Sequence, residues 1–154
     1  MRSGLDNRLV ETGRLIFPPH HEASLELAYS PNAYKVIRPE VIPFISYPYE
    51  WCFNPLKDAT QLLCEKQESA MAFGISLKDN SAYNIQFVQG WPIMIDTLSF
   101  ERYEDGKPWV AYRQFCQHFL APLALMCYTD IRLFQLLKVF IDVAFQSCRE
   151  IASR

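Results

Sequence analysis

Apolar and polar positions alternate along this chain in short runs, and the runs predict a series of brief elements around one longer helix. Residues 5–16 place Leu5, Leu9, Val10, Leu15 and Ile16 among charged neighbours and read as a short helix closed at Gly13, ahead of a connector at Pro18-Pro19. Ala33-Tyr-Lys-Val-Ile-Arg and Val41-Ile-Pro-Phe-Ile-Ser-Tyr are β-branched and aromatic, which predicts two strands near a sheet edge, punctuated by Pro39 and Pro43. Tyr47-Pro-Tyr-Glu-Trp reads as an extended linker. The best-signalled element comes next: Asn54 is a favoured N-cap, Pro55 suits the first turn, and Gly74 stands where a helix ends. Leu56, Ala59, Leu63, Ala70 and Phe73, with Leu62 and Met71, give that helix an apolar stripe about 28 Å long.

Beyond it, Ile75-Ser-Leu predicts a short strand and Lys78-Asp-Asn-Ser-Ala a polar loop. Tyr83-Asn-Ile-Gln-Phe-Val and Trp91-Pro-Ile-Met-Ile-Asp flank Gln89-Gly90 and predict a hairpin. Asp105-Gly106 marks another turn, with the charged Tyr103–Lys107 segment as its solvated tip. The remainder reads as helical: Trp109, Tyr112, Phe115, Phe119 and Leu123 recur at core-facing intervals, Pro122 is expected to kink or split the helix, and Asp130 to cap a second one running to about Cys148. Ile131, Phe134, Leu137, Phe140, Ile141 and Phe145 are rich enough to bury against a partner or a further domain.

Composition narrows the classes. Half the residues are hydrophobic and 14% aromatic, so the chain is expected to fold, and its length suits one domain. Fifteen basic against seventeen acidic residues leave a net charge of −2, without the basic footprint of a nucleic-acid binder. The longest segments free of charge, Gln114–Thr129 and Asn80–Ile95, are too short and too polar to span a membrane, and Met1–Glu11 has no signal-peptide pattern, so a cytoplasmic location is expected. Cys52, Cys64, Cys116, Cys127 and Cys148 are odd in number and widely spaced, which points to buried free thiols. Cys116 and His118 fall on different helix faces and His20-His21 lie far away, so no zinc site is expected. The five glycines are too dispersed for any phosphate-cradling loop. Glu50 and Asp58 place carboxylates near the linker without a distinguishing spacing.

One constellation carries chemistry. Asp79 opens the polar loop, Asn84 closes it at the start of the hairpin, and Asp96 ends the returning strand. A hairpin folds its two ends together, so Asn84 and Asp96 can converge on one cation while Asp79 reaches an acceptor hydroxyl, an arrangement suited to phosphoryl transfer. The alternative is structural: Asp79 and Asn84 stabilise a turn, and Asp96 caps the segment after the hairpin.

Ser76-Leu-Lys-Asp-Asn-Ser-Ala-Tyr-Asn-Ile-Gln-Phe followed by Pro92-Ile-Met-Ile-Asp resembles the catalytic loop and metal-binding strand of protein-kinase-like and aminoglycoside-phosphotransferase-like folds. Longer segments, Tyr34-Lys-Val-Ile-Arg-Pro-Glu, Phe44-Ile-Ser-Tyr-Pro-Tyr-Glu-Trp, Ile95-Asp-Thr-Leu-Ser-Phe-Glu-Arg-Tyr and Pro108-Trp-Val-Ala-Tyr-Arg-Gln-Phe-Cys-Gln-His-Phe-Leu-Ala-Pro-Leu-Ala-Leu-Met, resemble the N-terminal region of bacterial class I SAM-dependent methyltransferase-type proteins over roughly residues 5–140. Leu77-Lys78 and Thr97-Leu98 depart from the kinase pattern, and the glycine-rich strands and phosphate-binding lysine of a small lobe have no counterpart. The fold these resemblances imply is α+β: one incomplete kinase-like domain over 1–154, with a small β remnant and linker at 1–49 and a mostly helical large lobe at 50–154. They imply a transferase module in which Asn84 and Asp96 bind Mg²⁺ with ATP and Asp79 orients the acceptor; S-adenosylmethionine is not expected to bind. A non-catalytic interaction module, docking on a methyltransferase domain or another protein, is the second reading.

Overall fold

A computed structural model describes residues 21–23, 36–38, 41–96 and 98–139. Strand β1 (His21–Ala23) pairs antiparallel with β2 (Val36–Arg38) in the register His21 to Arg38. An extended segment then leads through a 3₁₀ turn, Pro48–Glu50, into helix α1 (Phe53–Met71). Strand β3 (Ile75–Leu77) pairs antiparallel with β6 (Phe100–Arg102); between them lies the hairpin of β4 (Ile85–Val88) and β5 (Trp91–Met94). The last described part is largely helical: α2 (Tyr112–Phe115), a widened π segment (Cys116–Leu120), α3 (Ala121–Tyr128), and, after Thr129 and Asp130, a 3₁₀ turn over Ile131–Leu136.

The core forms where α1 meets β5 and the C-terminal run. Leu56, Ala59, Leu62, Leu63 and Ala70 of α1 are buried against Leu77, Ile85, Met94, Phe119 and Met126. The stripe read from the sequence is thus the buried face, except that Met71 ends up exposed. Asn54 and Pro55 lie inside the first turn, because the helix starts two residues earlier than the cap signal suggests; Cys52 takes the cap position without a side-chain bond. Gly74, at φ +68°, turns the chain out of α1 into β3.

The kinase-like large lobe is not what this chain forms. Among the described residues the architecture is three two-stranded antiparallel sheets around three helices, of which α1 is long and the other two are short. Pairing β3 with β6 spends the residues after Asp96 on a local ribbon, and the apolar C-terminal sequence turns at Thr129 into a 3₁₀ segment. Among the described residues no stack of long helices remains to build a lobe.

The small N-terminal β remnant is corrected in detail. Val36–Arg38 lies within the expected strand, but its partner is the unforeseen β1, and 41–47 forms no strand. Pro43 removes a ladder donor there, and the buried Gln86 side chain takes the place of a neighbouring strand: Ser46 N–H donates to Gln86 Oε1 at 3.0 Å, and Gln86 Nε2 donates to Ser46 O at 3.1 Å. The expected helix over 5–16 and the cysteine at 148 fall outside the described residues. Of the described cysteines, Cys116 is half-buried and the rest are exposed, so burial is not their common feature.

Pro122 does not split its helix. The turn before it widens, with Ala121 N–H donating to Cys116 O, five residues back, and this absorbs the donor and space that proline denies an α-helix. Asp130 does act as a cap, accepting from Arg132 N–H at 2.9 Å, but the capped element is the 3₁₀ turn.

Candidate functional site

The polar loop at residues 78–84 is built from its own side chains. Asp79 Oδ1 accepts from Ser81 N–H at 3.0 Å, Ser81 Oγ accepts from Tyr83 N–H at 3.3 Å, and Asn84 N–H donates back to Ser81 O at 3.0 Å. These bonds form the 3₁₀ turn Ala82–Asn84 that feeds β4. Two residues one turn apart on the C-terminal helical run fasten the loop from the other side. Gln114 Oε1 accepts from Asn80 N–H at 2.6 Å, and His118 Nδ1 accepts from Ala82 N–H at 3.2 Å.

His118 is 1% exposed, and burial lowers its pKa to about 4, against the opposing charge of Asp79. It is therefore neutral at pH 7. With Nδ1 accepting, the proton resides on Nε2. The neighbouring Asn80 side chain is fully buried with no hydrogen-bond partner for its amide among the described residues.

Asn84 and Asp96 do come together. Asn84 Nδ2 donates to Ser99 Oγ at 3.1 Å, and Ser99 Oγ donates to Asp96 Oδ2 at 2.7 Å. The hairpin ends meet as its register requires, Ile95 N–H donating to Asn84 O at 2.8 Å. Asp79 is held on the far side of the same loop, close enough to His118 to influence its titration.

The donor set suits a hard cation in kind, one carboxylate and one carbonyl oxygen, and both residues also hydrogen-bond to Ser99. Asp96 Oδ1 accepts from Leu98 N–H at 2.8 Å and Oδ2 from the buried Ser99 hydroxyl at 2.7 Å, so both oxygens already take part in the bonding of their own loop. Among the described residues no three His, Cys, Asp or Glu side chains assemble as a metal site. Glu50, the other carboxylate near the linker, accepts from Tyr47 N–H at 2.7 Å and caps a turn.

Three members of this network carry no motif signal. Ser99 lies in a segment whose pairing depends on β3, and Gln114 and His118 sit in an apolar helix pattern where polar residues read as interruptions. Their four-residue spacing is the one trace of a shared face.

The chain is 38% identical over 124 residues to the nodulation protein NoeA of Rhizobium meliloti (strain 1021). That alignment takes in 80% of this chain but 26% of NoeA, so the chain spans about a quarter of that relative's length. No family model matches the sequence, and no solved structure matches the fold.

Proposed function

We propose that this chain is a non-catalytic interaction module that docks, within the cytoplasm, on a methyltransferase-type domain. One observation carries the reading: large apolar side chains stay exposed along the C-terminal helical segments, Leu120, Leu125 and Tyr128 up to the end of α3 and Ile131 at the start of the 3₁₀ turn, the last two 88% and 60% exposed. Large apolar side chains left exposed in succession are the mark of an association face. Consistent with it, the Asp79–Asn84–Asp96 group spends its hydrogen bonds on its own loop, and the chain matches only a part of a longer relative. The resemblance to the leading region of methyltransferase-type proteins supplies the kind of partner. In this reading the polar network is a clasp: it fixes the loop that orients the helical run.

The test mixes this chain with the part of NoeA outside the aligned region and measures binding by calorimetry. Saturable binding weakened roughly tenfold or more by Leu125→Glu with Tyr128→Ser is expected. Binding indifferent to those changes, or absent, overturns the reading.

The proximity of Asn84 and Asp96 favours one competitor, a Mg²⁺-nucleotide transferase in which both residues hold the ion and Asp79 orients the acceptor hydroxyl. A ligand at 100 times its Kd adds ~2.7 kcal/mol, a melting shift of roughly 5–10 °C for a chain of this size. The interaction module predicts no such shift with Mg²⁺-ATP or S-adenosylmethionine. A nucleotide shift abolished by Asp96→Ala establishes the competitor instead.

A further inference from the structure

We infer that a groove between α1 and the β4–β5 turn binds an organic cation bearing an alkylammonium or guanidinium group, a site separate from the loop network and from the apolar run. The groove is a cavity of about 480 Å³, within the range of small-ligand sites. Asp58, Gln61 and Glu65, spaced three and four residues apart, present one polar face of α1 to it; Leu62 lies at its base, and Gln89 and Trp91 close it from the hairpin. Among the described residues no lysine, arginine or histidine lines it, whereas the carboxylates of Asp58 and Glu65 do; the Lys57 ammonium, 3.7 Å from Asp58, offsets part of that negative charge.

Trp91 is the distinguishing element. The other two tryptophans are fully employed: Trp51 Nε1 donates to Ser46 Oγ with its ring edge-on to Phe87, and Trp109 Nε1 donates to Leu77 O with its ring against Phe115. The Trp91 indole has no hydrogen bond and no ring partner among the described residues, and the residue is 66% exposed on the groove wall. An indole face beside carboxylates is the chemistry that holds an ammonium or guanidinium group, the ring quadrupole and the negative edge of the groove acting on the same ion. Gln89 is the one described non-glycine residue with positive φ, +52°; the turn thus carries a long amide where asparagine or glycine would sit with less strain. That amide and Gln61 are the hydrogen-bond acceptors available to N–H donors of the ligand. A free polyamine and a lysine or arginine side chain of another protein share this chemistry.

The full chain is titrated with spermidine and, separately, with N-acetyl-lysine methylamide and N-acetyl-arginine methylamide, followed by calorimetry and tryptophan fluorescence. Saturable binding of at least one cation is expected, with a change in Trp91 emission. Tighter binding of spermidine identifies the free amine as the source, and tighter binding of the blocked amino acids identifies a protein side chain. Trp91→Ala should weaken binding roughly fivefold or more, Trp91→Phe less, and Asp58→Asn with Glu65→Gln should weaken it further. Unchanged melting temperatures confirm that these exposed variants fold. The inference is overturned if none of the three cations binds, if binding survives Trp91→Ala unaltered, or if a neutral diol of spermidine's length binds as well as spermidine.

Discussion

His118 ties the pH response of the molecule to one buried ring. In the unfolded chain it takes up a proton near pH 6.5, whereas in the fold burial delays this to about pH 4. Between those values the unfolded state binds the extra proton, so stability falls as the pH drops from about 6.5 toward 4, by an amount on the order of 3 kcal/mol across the window. Above pH 6.5 both states hold the ring neutral and the dependence on His118 vanishes. His118→Asn keeps an acceptor for Ala82 N–H but has nothing to titrate. Urea midpoints measured at pH 7, 6 and 5 should therefore decline more steeply for the parent than for the variant, and parallel declines would exclude His118 as the cause. Asp79→Asn removes the charge that favours the protonated ring, and so should steepen the parent's decline.

Elements here are held by side-chain bonds as much as by their own ladders. Gln67, on the last turns of α1, accepts from Leu77 N–H at 2.8 Å and donates to Ser76 Oγ at 3.0 Å, stapling the helix to β3. Gln67→Ala leaves the buried Leu77 amide without that acceptor and should destabilise the protein by about 1–3 kcal/mol in urea unfolding. At the hairpin, Gly90 has φ +83°, and a Cβ added there would meet nothing within 4 Å. The cost of Gly90→Ala is then conformational alone, roughly 1–2 kcal/mol, and amide exchange in β4 and β5 should quicken while α1 is unaffected. The hairpin itself was legible from Gln89-Gly90 between two alternating runs, because turn chemistry is local. The pairing of β3 with β6 was not legible: its strands are three residues each and lie some two dozen positions apart, and nothing in either marks the other.

At the scale of the whole molecule, one aromatic packs the C-terminal run onto α1. Phe119 is fully buried, in contact with the cluster of Leu56, Leu63 and Met94, and Phe115 stands 5.9 Å from it, ring to ring. Phe119→Ala should cost about 3–5 kcal/mol, a large share of the roughly 5–15 kcal/mol that holds a domain together, whereas Tyr128→Ser should change stability by no more than about 0.5 kcal/mol. Chemical unfolding of the two variants distinguishes core from docking face directly. Both residues fall in the same apolar sequence pattern. Which of them is buried depends on the widened turn ahead of Pro122 and on where α1 lies, and periodicity alone assigned Tyr112 to the core although it is exposed.

By itself the sequence determined α1 and its buried stripe, the β4–β5 hairpin that brings the backbones of Asn84 and Ile95 together, and the Asp130 cap. Each stems from backbone preferences and side-chain spacing within a few residues, or from the two ends of one tight turn. Only the tertiary structure decided that Ser99 bridges Asn84 and Asp96, that Gln114 and His118 clamp the loop, that Gln86 stands in for a strand beside Ser46, and that no large helical lobe forms. Those contacts join residues 15 to 40 positions apart, and their existence rests on how separate elements pack, a collective property that no local pattern encodes.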